Sequence, residues 1–269
     1  VLQKLADKGH ELPAVLLGWR HDAKLRNTYA EVLPKLIGPE GRIHTRYLQA
    51  RTATGRLAST DPNLQNIPIR TADGRRVREA FVAAPGYRLI SADYSQVELR
   101  VLAHMSEDPI LVEAFGAGDD IHRRTAAEVF DVPPLLVSAD QRRQAKAINF
   151  GIVYGMGAFR LAAELGVSRA EASSYLERFH ARYAGVRTFH ESCVQAAHSD
   201  GYATTMFGRR RPIPELRASS KREVAQAERI AINTPVQGSA ADILKLAMVQ
   251  LDAALTEQFP ASRLLLTVH

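Results

Sequence analysis

Cysteine is all but absent from the 269 residues: Cys193 is the only one. No internal disulfide can form and no cysteine-based zinc site can be built, which fits a reducing compartment. Long apolar runs are missing too. No stretch approaches the roughly 20 residues that a membrane helix needs, no signal-peptide pattern opens the chain, and no repeat or low-complexity segment interrupts it. These absences lead us to expect a soluble, cytoplasmic protein with no membrane partner. The chain starts at Val1 inside a helical pattern, and its last segment, "RLLLTVH", has no closing turn, so both ends read as cut.

What is present suffices for a sizeable core: 46% of the residues are hydrophobic, and nothing suggests disorder. A net charge of +6 with a pI near 9.6 permits a polyanionic partner without requiring one. Along the chain, Leu12 to Leu17 and Lys24 to Leu36 carry apolar residues on one helical face, and Gly38-Pro39 stops them. "RIHTRYLQAR" partly alternates, "TATGRLASTDPNLQNIP" is a polar loop, and "REAFVAAPGYRLISA" predicts two strands around a Pro-Gly turn. From Glu98 to Leu255 nearly everything is helical, including a capping box at Ser168 and Glu171 and a helix interrupted at Pro235 and restarted at Ser239. "RLLLTVH" returns to strand character. The layout is sheet, large helical insertion, then sheet again.

"LISADYSQVELR" poses the sharpest question. A hydrophobic run ends on Asp93, and Ser95 precedes Glu98 by three residues, the spacing of a capping box. A strand, a turn and a helix explain the stretch without chemistry; an acid at a strand end is equally a candidate metal ligand. "DQRRQAKAINFGIVYGMG" sets Arg142, Lys146, Phe150 and Tyr154 at successive i+4 steps, two cations followed by two rings on one face. Such a face suits the phosphates and base of a nucleotide, or belongs to an ordinary helix with its rings in the core. Arg229, Asn233 and Gln237 are again four apart, and Arg56, Asn63 and Gln65 lie in the polar loop. Amides and guanidinium groups of this kind can bind minor-groove acceptors with little sequence preference, or cap and brace loops. His122 is a phosphate ligand or a structural histidine. Arg209-Arg210-Arg211 reads as a solvated turn, and Cys193 as packing.

Taken in order, "TATGRLASTDPNLQNIPIR", "SADYSQVELRVLAH", "DIHRRTAAEVF", "RRQAKAINFGIVYGM", "MFGRRR" and "AERIAINTPVQGSAADILK" resemble the polymerase region of the bacterial family A DNA polymerases, essentially from end to end. The resemblance implies an α+β, mainly helical fold of right-hand architecture, with an antiparallel palm sheet and a helical fingers insertion. Residues 1–37 would be the remainder of the thumb, 38–104 the first part of the palm, 105–215 the fingers, and 216–269 the second part of the palm.

It also implies a chemistry: template-directed DNA synthesis in replication and repair, by attack of a primer 3′-OH on a deoxynucleoside triphosphate with two Mg²⁺ ions. The partners would be primer-template DNA and deoxynucleoside triphosphates, and the protein a monomer associated with the nucleoid. By the resemblance, Asp93 with the Tyr94 carbonyl holds metal, Glu98 is the steric gate against a ribose 2′-OH, and Gln96 belongs with it in the nucleotide site. Arg142, Lys146 and His122 bind the triphosphate, Lys146 also serving the leaving group catalytically. Phe150 packs on the incoming nucleotide and Tyr154 sits near the templating base. Arg56, Asn233 and Gln237 contact the minor groove at the primer end, with Arg229, Asn63 and Gln65 on the duplex backbone, and His269 is also DNA-binding.

Two departures accompany it. The family's third motif reads Val-His-Asp-Glu whereas the chain stops at Val268-His269, so this stretch alone is expected to be inactive for want of a second carboxylate; and Pro212 stands where an aromatic residue is usual. A single-subunit RNA polymerase of related fold, or a non-catalytic nucleic-acid-binding module, are the alternatives.

Overall fold

The computed structural model describes residues 1–68 and 71–268, and the chain divides into two units. The fold is α+β and mainly helical, with two small antiparallel sheets. The first unit comprises Val1–Thr52, Leu57–Ala92 and Arg263–His269. Its N-terminal helices follow the sequence pattern: α1 (Leu2–Ala6), then α2 (Glu11–Leu25), which runs on through a π turn (Arg26–Ala30) and a 3-10 turn (Leu33–Leu36). β1 (Arg46–Leu48) pairs antiparallel with β2 (Ala58–Thr60), Tyr47 opposite Ser59. The core beneath gathers Tyr29, Leu33, Leu64 and Ile67. α3 (Ala72–Glu79) is capped by Thr71, whose hydroxyl accepts from the Gly74 N–H at 3.1 Å.

The two strands expected over "REAFVAAPGYRLISA" do not form. Residues 78 and 79 close α3, and residues 81–92 are irregular, although the turn is there: the Tyr87 N–H donates to the Ala84 carbonyl at 3.0 Å. A strand is stabilised by its ladder and by same-face packing, and this segment has neither; Ile90 is 92% exposed. Nor is the C-terminal run a strand. Its described residues are irregular, tied down by the Tyr47 hydroxyl, which accepts from the Thr267 N–H and donates to its carbonyl, both at 2.9 Å.

The second unit comprises Ala53–Arg56 and Asp93–Ser262. It holds α4 (Val97–Ser106), α5 (Pro109–Gly116), α6 (Ile121–Phe130), α7 (Ala139–Val153), α8 (Ala158–Leu165), α9 (Arg169–Arg182), α10 (Ala184–Asp200), the hairpin β3 (Tyr202–Thr204) and β4 (Arg210–Pro212), and α11 (Lys221–Gln258). Leu102, Leu111, Ile121, Ile148, Ile152 and Phe179 fill the main core at 2% exposure or less. The capping box at Ser168 and Glu171 opens α9 as expected, and Ser138 with Gln141 opens α7 by the same device. Asp108 caps α5 through the Ile110 and Leu111 N–H groups and also accepts from Gly185 N–H at 3.0 Å. A Cβ on Gly185 would lie 2.9 Å from the Asp108 Cα, so glycine is what lets the chains approach.

Two expectations fail here. Ser95 and Glu98 form no capping box: the N-cap of α4 is Gln96, in the left-handed region at φ 58°, and no side chain caps it. Glu98 instead points inward to partners described below. Nor does the last helix break at Pro235. α11 runs unbroken through it, although an interior proline removes one N–H bond and crowds the carbonyl four residues back. The neighbouring Ile230 carbonyl accepts from the Thr234 hydroxyl at 2.7 Å, and the buried Ala227, Ala231, Val236 and Ala240 hold the helix on both sides of the proline.

Candidate active site

The i+4 face of α7 is realised. Arg142 sits half-buried with its Nε on Asp120 Oδ2 at 2.6 Å, so Asp120 both caps α6 and holds this guanidinium. One turn on, Lys146 is exposed, its ammonium 5.9 Å from the Phe150 ring. Phe150 stacks against Tyr154 with centroids 6.3 Å apart at 21°. The Tyr154 hydroxyl then donates to Glu98 Oε2 at 2.7 Å, while the other Glu98 oxygen takes the Arg56 guanidinium. Burial, followed by the hydrogen bond to Glu98 and its charge, pushes the Tyr154 phenol up to about 12. The face is therefore one connected strip, from two cations through two rings to a buried carboxylate.

Beside it opens a cleft of about 450 Å³, lined by Tyr154, Arg160, Arg229, Asn233 and Gln237 among others. The α11 triad expected from its spacing lies on one wall. Arg229 is held by Gln226 Oε1 at 2.7 Å. The Asn233 amide reaches the Tyr154 carbonyl at 3.5 Å, and its Oδ1 is a buried acceptor with no partner among the described residues. Such a group costs about 1–3 kcal/mol unless something completes it. The cleft thus presents an unmet acceptor next to two guanidinium groups.

His122 belongs to the strip's flank, its ring 6.2 Å from that of Phe150. It is buried, and Asn149 Nδ2 lies 3.0 Å from its Nδ1. Because the Thr125 hydroxyl donates to Asn149 Oδ1 at 3.0 Å, the Asn149 amide must donate to Nδ1. The ring proton therefore sits on Nε2. Burial, aided by Arg142 and Lys146 against the opposing charge of Asp120, lowers the imidazole to about 4. His190, on α10, is likewise lowered to about 4 by burial and by His180 on α9.

Both rings are neutral in the folded chain and charge more readily when it unfolds. Their contribution to stability is full above about pH 6.5 and is lost as the pH falls toward about 4, on the order of 2–3 kcal/mol each. The urea midpoint should fall steeply between these limits, and His190→Gln should flatten the fall; an unchanged slope in that variant would contradict the assignment.

The remaining expected residues are placed differently. Asp93 and Tyr94 are exposed in irregular chain just ahead of α4, and Asp93 enters no ion pair among the described residues. No cluster of three or more His, Cys, Asp or Glu able to hold a metal ion occurs among the described residues. A single open carboxylate is nonetheless what a hard divalent cation takes from a protein when substrate phosphates supply other oxygens. Asp93 fits that partial role. Asn63 and Gln65 lie in the first unit and brace its loop: Asn63 Oδ1 accepts from Gln65 N–H at 3.1 Å and Gln65 Oε1 from Ser59 N–H at 3.0 Å. His269 lies outside the described residues. Cys193 behaves as packing, its thiol pushed up to about 12 by burial.

Sequence reasoning missed Asn149, which orients His122, and Arg209, which is no solvated turn: its side chain meets Asp242, Thr54 and Gly238. The signals were Gly55 and Gly238, each of which would clash with Arg209 if it carried a Cβ.

A mainly helical unit sets cations, rings and a buried acid in a row beside an amide-lined cleft, an arrangement whose chemistry suits a phosphorylated, aromatic ligand. The chain belongs to DNA polymerase family A, whose profile matches residues 1–269. It is 54% identical over its whole length to DNA polymerase I of Pseudomonas aeruginosa and 49% identical to the thermostable DNA polymerase I of Thermus thermophilus. It spans 30% and 32% of the length of those proteins. Among solved structures, one described as the POL domain of Pol1 from M. smegmatis in complex with DNA primer-template and dNTP superposes with a TM-score of 0.92 at 45% identity. That match covers all of this chain and 47% of the other. No helix among the described residues is long and apolar enough to cross a membrane.

Proposed function

We propose that the protein to which this chain belongs extends DNA primers on a template, and that the α7 strip with its adjoining cleft is where the incoming nucleotide meets the primer end. The observation that carries this reading is the continuity of the strip: Arg142 and Lys146 offer cations for phosphates, Phe150 and Tyr154 offer ring faces for a base, and Glu98 sets a carboxylate beside them where a sugar edge would lie. The M. smegmatis relative, described as holding both primer-template and dNTP, supports it.

In this reading the primer 3′-OH attacks the α-phosphate and pyrophosphate leaves. Lys146, exposed and not drawn into an ion pair among the described residues, neutralises the leaving group's charge. Arg142 exchanges the Asp120 carboxylate for a phosphate oxygen, a like-for-like swap of charge-assisted hydrogen bonds. His122, with Nδ1 occupied, donates from Nε2. Phe150 packs on the nucleotide and Tyr154 lies near the templating base. Glu98, fixed by Tyr154 and Arg56, closes the space a 2′-OH would need, with Gln96 just before it. Asp93, with the Tyr94 carbonyl, would supply part of the oxygen set that holds the divalent ions; two Mg²⁺, when bound, neutralise charge on the phosphates and acidify the attacking hydroxyl.

Arg56, Asn233 and Gln237 meet minor-groove acceptors at the primer end, Arg229, Asn63 and Gln65 follow the duplex, and His269 binds DNA by the resemblance. The division into thumb (1–37), palm (38–104 and 216–269) and fingers (105–215) belongs to the same reading, as do a monomeric state and a place at the nucleoid. The full-length protein should extend a primer with deoxynucleotides in Mg²⁺ and stop when EDTA removes the metal. Extension that persists in EDTA, or that uses ribonucleotides equally well, would count against it.

A further inference from the structure

Arg209 follows a Phe-Gly turn in a run of three arginines, where composition alone gives no reason to expect burial. Its side chain is nonetheless only 31% exposed. The Nε donates to Asp242 Oδ1 at 2.9 Å, and Nη2 donates to the Thr54 carbonyl at 2.8 Å and to the Gly238 carbonyl at 3.0 Å. Three stretches far apart in sequence therefore meet on one guanidinium: the 53–56 loop, the β3–β4 turn and the middle of α11.

The seat is built to fit. A Cβ on Gly55 would lie 2.5 Å from Arg209 Cζ, and one on Gly238 would lie 2.8 Å from Nη2 and 2.5 Å from Thr205 Cγ2. Gly55 also needs its glycine for a φ of +81°. Both glycines thus leave room for the same planar group. The hairpin braces the same place from below, where Ser239 Oγ accepts from the Met206 N–H at 2.9 Å. A lysine would bring one ammonium to a site that uses donors on two nitrogens in a fixed plane, and could not serve all three acceptors with the same geometry.

Two of the three stretches carry side chains that the proposed function uses. Arg56 stands two residues after Thr54, and Gln237 immediately precedes Gly238. We propose that Arg209 is a positioning residue: by holding the Thr54 and Gly238 carbonyls on one guanidinium, it sets Arg56 and Gln237 in fixed register toward the minor groove of the primer's last base pair. This rests on the reading that Arg56 and Gln237 contact DNA. Arg209 itself touches no substrate. Its loss lets the 53–56 loop and α11 drift apart, so contacts that need both are weakened together.

The test is a double-mutant cycle in the full-length polymerase, with Arg209→Ala, Arg209→Lys, Arg56→Ala and the two double variants, measuring single-turnover extension from matched and mismatched primer ends. Expected are a loss on the order of tenfold or more for matched ends in either Arg209 variant, a smaller loss for mismatched ends, and less than about a twofold further loss when the change is added to Arg56→Ala. Thermal melting of each variant is recorded alongside; should Arg209→Ala fail to fold, Arg209→Lys, which keeps the charge, decides. Losses that multiply across the cycle, or that fall equally on matched and mismatched ends, overturn the proposal and leave the proposed function standing. If Arg56→Ala alone extends normally, the reading that Arg56 contacts DNA fails first, and the proposal with it.

Discussion

Asp93→Asn in the full-length polymerase is expected to lower the single-turnover extension rate by on the order of 10³-fold while leaving the fold intact. The carboxylate is exposed, lies in irregular chain and enters no ion pair among the described residues, so nothing in the packing depends on its charge. A residue kept only to end a strand or cap a helix would behave in the opposite way. The strand is not formed, and the cap of α4 is made without any side chain. With the structural role gone, what remains for Asp93 is its availability as a ligand. Activity within a few-fold of the parent in Mg²⁺ would remove it from the mechanism.

Glu98→Ala should have the next largest effect, and on two observables. Glu98 has an 8% exposed side chain that accepts from Tyr154 and pairs with Arg56. Its removal deprives the Tyr154 hydroxyl of its acceptor and Arg56 of this carboxylate, which is expected to destabilise the unit by about 1–3 kcal/mol. Discrimination against ribonucleotides should fall by on the order of 10²-fold, since the space the carboxylate fills becomes open to a 2′-OH. Glu98→Gln separates the causes. It keeps the volume and an acceptor for Tyr154 but not the charge, so discrimination should survive. The Tyr154 phenolate, held up to about 12 in part by that charge, should then appear at lower pH in an absorbance titration. Unchanged titration would show that burial alone sets the phenol.

The helical half of the molecule was legible because its signals are local. A capping box at Ser168, the four-residue spacing on α7 and the apolar periodicity of α9 each depend on neighbours within two turns, and each is found. The expected strands at 78–92 and at the C-terminal run failed for the converse reason. A strand is defined by a ladder that its own sequence does not contain, and β-rich composition without a partner leaves irregular chain. Pro235 shows tertiary context overriding a local rule: the lost bond and the ring's crowding of the preceding turn are outweighed by burial along α11. In the site, identities were readable and partnerships were not. Glu98 carries the spacing of a cap, and only the fold shows it turned inward to Tyr154 and Arg56. Arg209 looked solvated because its three acceptors lie in loops and helices 29 to 155 residues away.

The central claim is that this strip and cleft select a nucleotide against a template. Single-turnover incorporation by the full-length protein, with each of the four deoxynucleoside triphosphates opposite each templating base, tests it most directly. The complementary nucleotide is expected to be strongly preferred at every template base, with Lys146→Ala slowing all four correct pairs alike. Incorporation that ignores the template, or the absence of any extension under these conditions, would contradict it.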